Sequence, residues 1–262
     1  MGVLPWVAWY AFRRHTAYPL SAFAEALTNT AFGFMRAYIL VALWRERPAL
    51  GGYDVADAVT FCFLTQALIG PVQIFGGMEL TRRIRDGDVA IDLYRPVDLQ
   101  GWWLADDLAR GLAALLLRGG PPMVAGALVF PLRFPGPAGV AAFAVAVLLA
   151  MLVGFGLRYL VALGAFWLND ERGLHSAEVV LALFFSGMIL PLVAFPGVLG
   201  EVARATPWAA LIQVPADVFL GRHTGWGLVG ALAFQAAWAA ALLAAGRALT
   251  LAARRKLVIH GG

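Results

Sequence analysis

The stretch Ala138–Leu168, AGVAAFAVAVLLAMLVGFGLRYLVALGAFWL, decides the fold of this chain. It contains one charged residue, Arg158. The hydrocarbon core of a bilayer is about 30 Å thick, and a helix needs roughly 20 apolar residues to cross it. Only a helix satisfies every backbone N–H and C=O within such a segment. The stretch is therefore predicted to be a transmembrane helix.

Similar apolar stretches recur along the whole chain. The sequence is 61% hydrophobic and 14% charged, whereas soluble domains have about 45–50% apolar and about 25% charged residues. A water-soluble fold is therefore excluded. No polar block is large enough for a separate globular unit, so we predict one all-α membrane domain over residues 1–262. Its six predicted transmembrane helices are Leu20–Trp44, Val55–Gly77, Trp102–Phe130, Ala138–Leu168, Ala177–Leu199 and Trp226–Leu251.

The arginine clusters predict the orientation of these spans. Basic residues are retained on the cytoplasmic side of membrane proteins. If the N-terminus is cytoplasmic, the two densest clusters, Arg82–Arg95 and Arg254–Lys256, both lie inside, whereas the reverse orientation would export them. Both termini are therefore predicted to be cytoplasmic. The abundance of Arg, Ala and Gly is typical of a GC-rich bacterial genome, so we expect a multi-pass protein of the bacterial inner (plasma) membrane.

Two further segments are apolar without being long enough to span. Val3–Phe12 carries three large aromatic residues besides Phe12 and is followed by two arginines, as expected of an interfacial helix that lies along the membrane. Phe195–Gly225 is interrupted by Pro and Gly but remains too apolar for a solvated loop. We expect short helices there that dip into the outer leaflet before the last span.

The loop Met78–Gln100 is predicted to lie in the cytoplasm. Leu80 and Ile84 are four residues apart and share one face of a short amphipathic helix, which Gly87 is suited to end. Beyond it, apolar residues alternate with polar ones from Val89 to Leu93, and this period predicts an extended segment. Arg95–Pro96 closes the loop as an extended dipeptide.

Arginines also occur inside the predicted spans. Arg36 and Arg158 lie well within their segments, where a charge is costly unless it finds a partner or a polar cavity. Two interpretations remain open for both residues: a position on a translocation path, or a structural interhelical salt bridge. Arg110 and Arg118 lie nearer the membrane boundary, and structural pairs with acidic residues such as Asp107 are expected for them.

Motifs for enzymatic chemistry are missing from the sequence. There is no G-x-x-x-x-G-K-[ST] loop for ATP phosphates, and the four histidines have no metal-site spacing. The serines lack a G-x-S-x-G context. The formal charge of +4 is scattered, which argues against nucleic-acid binding. Cys62 is the single cysteine, so a disulfide within the chain is impossible.

Several motifs together resemble the ABC-2 type permeases, specifically the ABC-2 family transporter group. They are GGYDVADAVTF at Gly51–Phe61, E-L-x-R-x-I-R-x-G-x-x-x-x-D-L-x-R-P-V from Glu79, R-Y-x-x-x-x-x-A-F-W from Arg158, F-x-S-G-x-x-x-P-L-x-x-F-P from Phe184, and T-P-W…P-A-D-V-F-L-G from Thr206. The match covers nearly the whole chain in the right order. Thr81 departs from the small apolar residues common at its position.

The resemblance implies a six-helix membrane subunit that pairs with a second permease chain, identical or homologous, and with two ATP-binding subunits. ATP and Mg²⁺ would then be bound by those partners, with no cofactor or metal on this chain. The loop segment would be a coupling helix that docks on the ATP-binding subunit. The residues assigned to it are Glu79, Leu80, Arg82, Arg83, Ile84, Arg85, Asp86, Gly87, Asp88, Asp92, Arg95 and Pro96.

The leading functional hypothesis is the permease subunit of an ATP-driven exporter. Its aromatic and aliphatic spans favour an amphiphilic or lipophilic substrate. The alternative is an ion-gradient-driven secondary transporter that acts as a dimer, although no span has a central Asp or Glu of the kind such proteins use. A membrane-embedded enzyme ranks third because no catalytic constellation was found.

Overall fold

The computed structural model describes residues 2–17, 19–168 and 172–260. Across those ranges the chain forms helices joined by turns, with no β-strand. The helices are α1 (Leu4–Thr16), α2 (Pro19–Glu46), α3 (Val55–Val72), α4 (Glu79–Arg85), α5 (Val89–Tyr94), α6 (Leu99–Ala114), α7 (Gly120–Val129), α8 (Pro137–Gly164), α9 (Arg172–Phe185), α10 (Gly197–Ala205), α11 (Gln213–Phe219) and α12 (Trp226–His260).

Five helical stretches in the described part of the chain are long and apolar enough to cross a membrane. Each coincides with one of the six predicted spans, with its ends moved by a few residues. An all-helical membrane fold is thus confirmed. The five stretches are Leu20–Glu46, Val55–Val72, Leu99–Val129, Pro137–Gly164 and Trp226–Arg255.

The remaining predicted span, Ala177–Leu199, is not one continuous helix. Helix α9 ends at Phe185, and irregular chain follows before a 3₁₀ turn at Leu192–Ala194. Gly187 has a φ of +86°, in the left-handed region, and Pro191 has no N–H to continue a helix. The prediction of an unbroken helix was wrong because hydropathy does not register such a break.

The interrupted segment nevertheless runs from one end of the molecule to the other. We call the end that carries α4 and α5 the basal end, and the end that carries Ala49–Asp54 the apical end. Arg172 and His175, at the start of α9, line a cavity together with α4. Val193 packs so closely on Gly51 at the apical end that a Cβ on this glycine would lie 2.6 Å from it.

The third span contains a π-helical turn. Helix α6 continues through Leu115–Gly119, whose hydrogen bonds follow the wider π pattern, into α7. Arg118 lies in this turn and forms a salt bridge with Glu25 of α2. On either side of the turn, small residues face α3: Ala114 meets Gly70, and Gly126 lies against the ring of Phe63.

Helix α3 forms the centre of the fold. It is buried over most of its length, and its side chains contribute to a core that also includes α2, α8 and α11. Helix α12 packs along α8, where Gly156 faces Leu242 and Gly246 faces Tyr159. Side chains join the same pair of helices, because the hydroxyls of Tyr159 and Thr250 lie 2.8 Å apart.

The loop Met78–Gln100 folds into the two short helices α4 and α5. Gly87 follows the end of α4 with a φ of +83°, as predicted for a glycine at a helix C-terminus. The extended conformation predicted for Val89–Leu93 was wrong, since α5 is helical. Val89 and Leu93 are four residues apart, so a short run of this spacing suits a helix as well as a strand. Arg95, before Pro96, is extended, as predicted.

Short helices also form in the two other apolar segments. Helix α1 packs against α6 and exposes Trp6, Trp9 and Tyr10. Its position in the membrane interface stays a prediction. Residues 195–225 contain α10, a 3₁₀ turn at Pro207–Ala210 and α11. Whether they dip into a leaflet likewise stays a prediction.

Candidate functional site at the basal end

A buried ionic cluster lies below the core at the basal end. Arg158 of α8 binds both carboxylate oxygens of Asp107 of α6, with Nη1–Oδ1 at 2.9 Å and Nη2–Oδ2 at 2.8 Å. Arg158 is only 3% exposed, and Asp107 is buried as well. Arg110 contacts the same carboxylate at 3.2 Å. One carboxylate thus joins two guanidinium groups inside the protein.

The C-terminus of α3 completes this cluster. Gln73 ends the helix with a φ of +53°, in the left-handed region, and its side-chain oxygen accepts a hydrogen bond from Arg158. Arg110 donates to the carbonyls of Gly70 at 3.0 Å and Pro71 at 3.3 Å. Cations at a helix C-terminus compensate its dipole and its unpaired carbonyls. The cluster therefore fixes α3, α6 and α8 relative to one another.

The structure separates the two arginines that were grouped as possible path residues. Arg158 forms the interhelical salt bridge of the second interpretation, and it also lines a cavity next to α4. Arg36 instead donates to the carbonyls of Met188 and Ile189, where the chain beyond α9 is irregular. It satisfies backbone groups that the interrupted helix leaves open. A place for either residue on a translocation path stays a prediction.

The predicted coupling segment has a buried face and an exposed face. Leu80 is 0% exposed and Ile84 is 9% exposed, and both belong to a cluster that includes Tyr159 and Leu163 of α8. These two side chains therefore attach α4 to this chain and do not form its surface. Of the residues assigned to the coupling segment, the exposed ones are Glu79, Arg82, Arg85, Asp86, Gly87, Asp88, Arg95 and Pro96.

Ion pairs hold α4 and α5 together. Arg83 binds Asp92 through two contacts, of 2.6 Å from Nε and 3.0 Å from Nη2. The hydrogen bond that Arg83 donates to the Asp92 carboxylate raises the pKa of Arg83. Arg95 contacts the same carboxylate at 3.3 Å. Arg83 and Asp92 thus pair with each other within the loop. The two helices form one bent unit, which we call the α4–α5 elbow.

Two exposed residues of the elbow were missed by sequence reasoning. Ile91 is 58% exposed and Tyr94 is 90% exposed. They lie three residues apart on the outer face of α5, opposite the buried Val89 and Asp92. Because the segment was predicted to be extended, this shared face was not recognised. The i, i+3 spacing would have shown it under a helical assignment.

A second polar network ties the apical end together. Asp217 of α11 accepts hydrogen bonds from Tyr53 and, at 2.9 Å, from Gln213. Burial raises the pKa of Asp217, although these hydrogen bonds act in the opposite direction. Arg222 stacks over the Tyr53 ring, with its guanidinium carbon 5.0 Å from the centroid. The network connects the segment before α3 to α11.

The described residues contain no group of three or more His, Cys, Asp and Glu side chains placed to hold a metal ion. Cys62 is buried in α3. The basal end thus has two distinctive features. The ionic cluster is a buried group of charges that connects three helices, and the α4–α5 elbow presents an exposed surface with both apolar and charged residues.

Comparisons with known proteins identify a family for this chain. No curated protein sequence matches the chain. A family model does match, under the description ABC-2 family transporter protein, and the match extends over residues 12–261. Because it covers nearly the whole sequence, the chain belongs to the family of ABC-2 family transporter proteins.

Proposed function

We propose that this chain is the membrane subunit of an ATP-driven exporter. Its family makes it a multi-pass permease of the ABC type, and such permeases are membrane components that work as a dimer or pair with an ATP-binding subunit. On this proposal the ATPase activity, ATP and Mg²⁺ reside on separate subunits. A second permease chain, identical or homologous, would complete the translocation path.

The observation that carries the proposal is the exposed face of the α4–α5 elbow. Ile91 and Tyr94 are largely apolar yet exposed. Exposed Arg85 and Asp88 precede them in sequence, and exposed Arg95 follows them. A surface with an apolar centre and charges of both signs is suited to a protein groove. Anionic lipid alone would be repelled by the acidic members.

The attachment of the elbow provides a route for coupling. Leu80 and Ile84 pack against α8, and α8 is joined to α3 and α6 through Arg158. Because packed elements move as rigid bodies, a push on α4 is transmitted to three transmembrane helices at once. Charges on the elbow then serve docking, and the buried ionic cluster keeps the helices together.

The topology proposed here has six crossings with both termini in the cytoplasm, in a bacterial inner membrane. Five crossings are continuous helices. The sixth is the interrupted segment from Arg172 to Val193, which extends from the basal cavity to the apical Gly51. An even number of crossings returns the chain to its starting side. Residues 1–262 then form one transmembrane domain.

Family membership argues against the ion-gradient alternative. The Asp107 carboxylate, buried in the third span, is held by two guanidinium groups. A carboxylate in that setting is tied to fixed cations and is poorly suited to bind and release a coupling ion. No specific feature of the described residues favours this alternative over the ABC-type mechanism.

Purification of the native complex tests the proposal. A tag on this chain should recover an ATP-binding subunit, and substrate-stimulated ATPase activity should accompany it. The double variant Ile91→Asp/Tyr94→Asp should lose most of that subunit, since it places two charges in the apolar centre of the surface. Ile91→Leu/Tyr94→Phe is the matched control and should retain it. Full recovery of the subunit and its ATPase activity in the Asp variant would refute the docking surface.

A further inference from the structure

Arg36 lies deep within the first span. It is eight residues from Trp44, near the apical end of α2, and eleven residues from Glu25, near the basal end. These separations correspond to about 12 Å and about 16 Å along the helix axis. The side chain therefore starts from a level far inside the hydrocarbon core, where a charge is costly unless it finds a partner or a polar cavity.

The charge of Arg36 is not compensated by the described residues. Its hydrogen bonds there go from Nη2 to two backbone carbonyls, which carry no net charge. The Cys62 thiol is the one titratable group among those residues within electrostatic range of Arg36. The other arginines predicted inside the spans each have a carboxylate partner: Glu25 for Arg118, and Asp107 for both Arg110 and Arg158.

Several hydrogen-bond donors beside Arg36 have no acceptor in the described part of the chain. They are the Nε and Nη1 groups of Arg36 and the backbone N–H groups of Ile189 and Leu190. Arg36 is only partly buried, and Ile189 is 51% exposed. Non-helical backbone at membrane depth occurs only where protein covers it or where it lines a water-filled cavity. This face of the molecule is therefore not expected to contact lipid.

A second copy of this chain is a poor source of a counterion for Arg36, because two copies in one membrane place equivalent residues at the same depth. Among the described residues, the acids within the continuous spans are Glu25, Glu46, Asp57, Asp106 and Asp107. Four of them pair with arginines of their own chain, and the fifth, Glu46, is the last residue of α2. Glu178 is buried within α9, about 10 Å before its end. We therefore expect the compensating anion to come from outside a pair of identical chains.

We propose that Arg36 and the N–H groups of Ile189 and Leu190 bind the anionic group of the transported substrate. Guanidinium and N–H donors bind carboxylate or phosphate oxygens through charge-assisted hydrogen bonds. The aromatic and aliphatic spans favour an amphiphilic substrate, and this site specifies an anionic amphiphile. The inference rests on the proposed function, because a second permease chain is needed to convert this open face into a closed path.

Labelling of Ile189→Cys tests for a water-filled site of positive potential at this level. The native complex, recovered through a tag on this chain, is placed in phosphatidylcholine nanodiscs. Labelling of this chain is measured with two methanethiosulfonates, one bearing a sulfonate and one a quaternary ammonium group, each rate being divided by the rate with a free small thiol. Arg36→Gln should lower the ratio of the sulfonate rate to the ammonium rate about tenfold. Arg36→Lys keeps the charge and should retain the ratio. The native Cys62 is buried and gives no background.

Val145→Cys is the matched control. Val145 is 48% exposed and lies eight residues into α8, about 12 Å along the helix axis, and on a lipid-facing surface it should react with neither reagent.

Dodecyl phosphate tests the ligand without any change to Arg36, so the result does not depend on the folding of the Arg36 variants. It should slow the sulfonate reaction of Ile189→Cys, whereas dodecanol, of the same chain length, should not. The proposal would be overturned by no reaction at Ile189→Cys, by equal labelling of Val145→Cys, by a ratio that Arg36→Gln leaves unchanged, or by protection with dodecyl phosphate no greater than with dodecanol. Failure to recover an ATP-binding subunit would instead contradict the proposed function, because the labelling requires no ATPase activity.

Discussion

Two adjacent acids show how differently a carboxylate is used at the basal end. Asp107 is buried and holds Arg158 and Arg110. Asp106, its neighbour, forms a salt bridge of 2.8 Å with the exposed Arg14 of α1. Removal of one partner from a buried ion pair leaves an uncompensated charge, whereas a pair with an exposed arginine and a partly buried carboxylate is screened by solvent and contributes less. Only the first acid is expected to be essential for folding.

We therefore expect Asp107→Asn to lower the free energy of unfolding by about 3–5 kcal/mol. The matched variant Asp106→Asn should cost less than about 1 kcal/mol. Thermal unfolding of the two purified proteins in the same detergent measures the difference. Equal melting temperatures would show that the cluster around Asp107 does not stabilise the fold.

At the residue scale, the sequence predicted which arginines need partners, and it predicted the partner itself only for Arg110. Because a charge inside a membrane span is costly, four arginines were correctly predicted to need partners: Arg36, Arg110, Arg118 and Arg158. The pair between Arg110 and Asp107 was predicted and is present, because the residues are three apart on one helix. The partners of Arg36 are backbone carbonyls about 150 residues away, and no local pattern encodes such a contact.

At the scale of elements, the buried face of α4 has a consequence for mutagenesis. Leu80 and Ile84 pack on α8, so Leu80→Asp/Ile84→Asp would place two carboxylates in an apolar cluster. We expect this variant to lose folded protein, measured as the yield of monodisperse protein in detergent, because an unpaired charge is costly to bury. Leu80→Met/Ile84→Val should retain a normal yield.

The comparison with the variants of α5 separates attachment from docking. Ile91→Asp/Tyr94→Asp changes exposed side chains and should leave the yield unchanged. A normal yield and a normal melting temperature for Leu80→Asp/Ile84→Asp would instead show that these residues lie on the surface. That result would contradict their burial against α8.

The apical element α11 predicts a pH dependence. Burial raises the pKa of Asp217 above its ordinary value, so the folded protein retains a proton that the unfolded chain has released. The contribution of this residue to stability is therefore present at low pH and is lost as the pH rises from about 4 through the raised pKa. Asp217→Asn removes this ionisable group, so the variant should not lose that stability as the pH rises. The difference in melting temperature, wild type minus variant, should therefore decrease with rising pH.

Asp54 provides a control of opposite sign. Burial acts to raise its pKa, but the Asp57 N–H and the Arg133 guanidinium outweigh burial, and the pKa of Asp54 is lowered. Its contribution is present above its ordinary pKa and is lost as the pH falls through the lowered value. The corresponding difference for Asp54→Asn should thus shrink toward acid pH. Parallel trends in the two variants would contradict the assignment for Asp217.

Sequence periodicity was a good guide to long elements and a poor guide to short ones. Runs of about 20 apolar residues identify a span because the membrane sets their length. The break after Phe185 depends on the left-handed Gly187 and on a distant arginine, neither of which changes hydropathy. In Val89–Tyr94, six residues are too few to distinguish a helical from an extended period.

The topology of the whole molecule leads to a labelling prediction. Asp88 is exposed in the α4–α5 elbow, and Thr224 is exposed in the turn before α12. With both termini cytoplasmic, Thr224→Cys should react with an impermeant thiol reagent in intact cells, and Asp88→Cys only after the membrane is opened. The native Cys62 is 0% exposed and gives no background. Modification of Asp88→Cys in intact cells would refute the proposed orientation.

The π-helical turn of the third span also affects the molecule as a whole. Ala114 and Gly126 both face α3, yet 12 residues of uninterrupted α-helix would set them about 120° apart around the axis. The wider turn accommodates one extra residue and removes about 100° of that rotation. Deletion of one exposed residue there, such as Leu116, would convert the π-helical turn to regular α-helix. Ala114 and Gly126 would still face α3. The span should therefore tolerate the deletion of one residue at this turn. A one-residue deletion within α7, before Gly126, would instead rotate Gly126 away from Phe63.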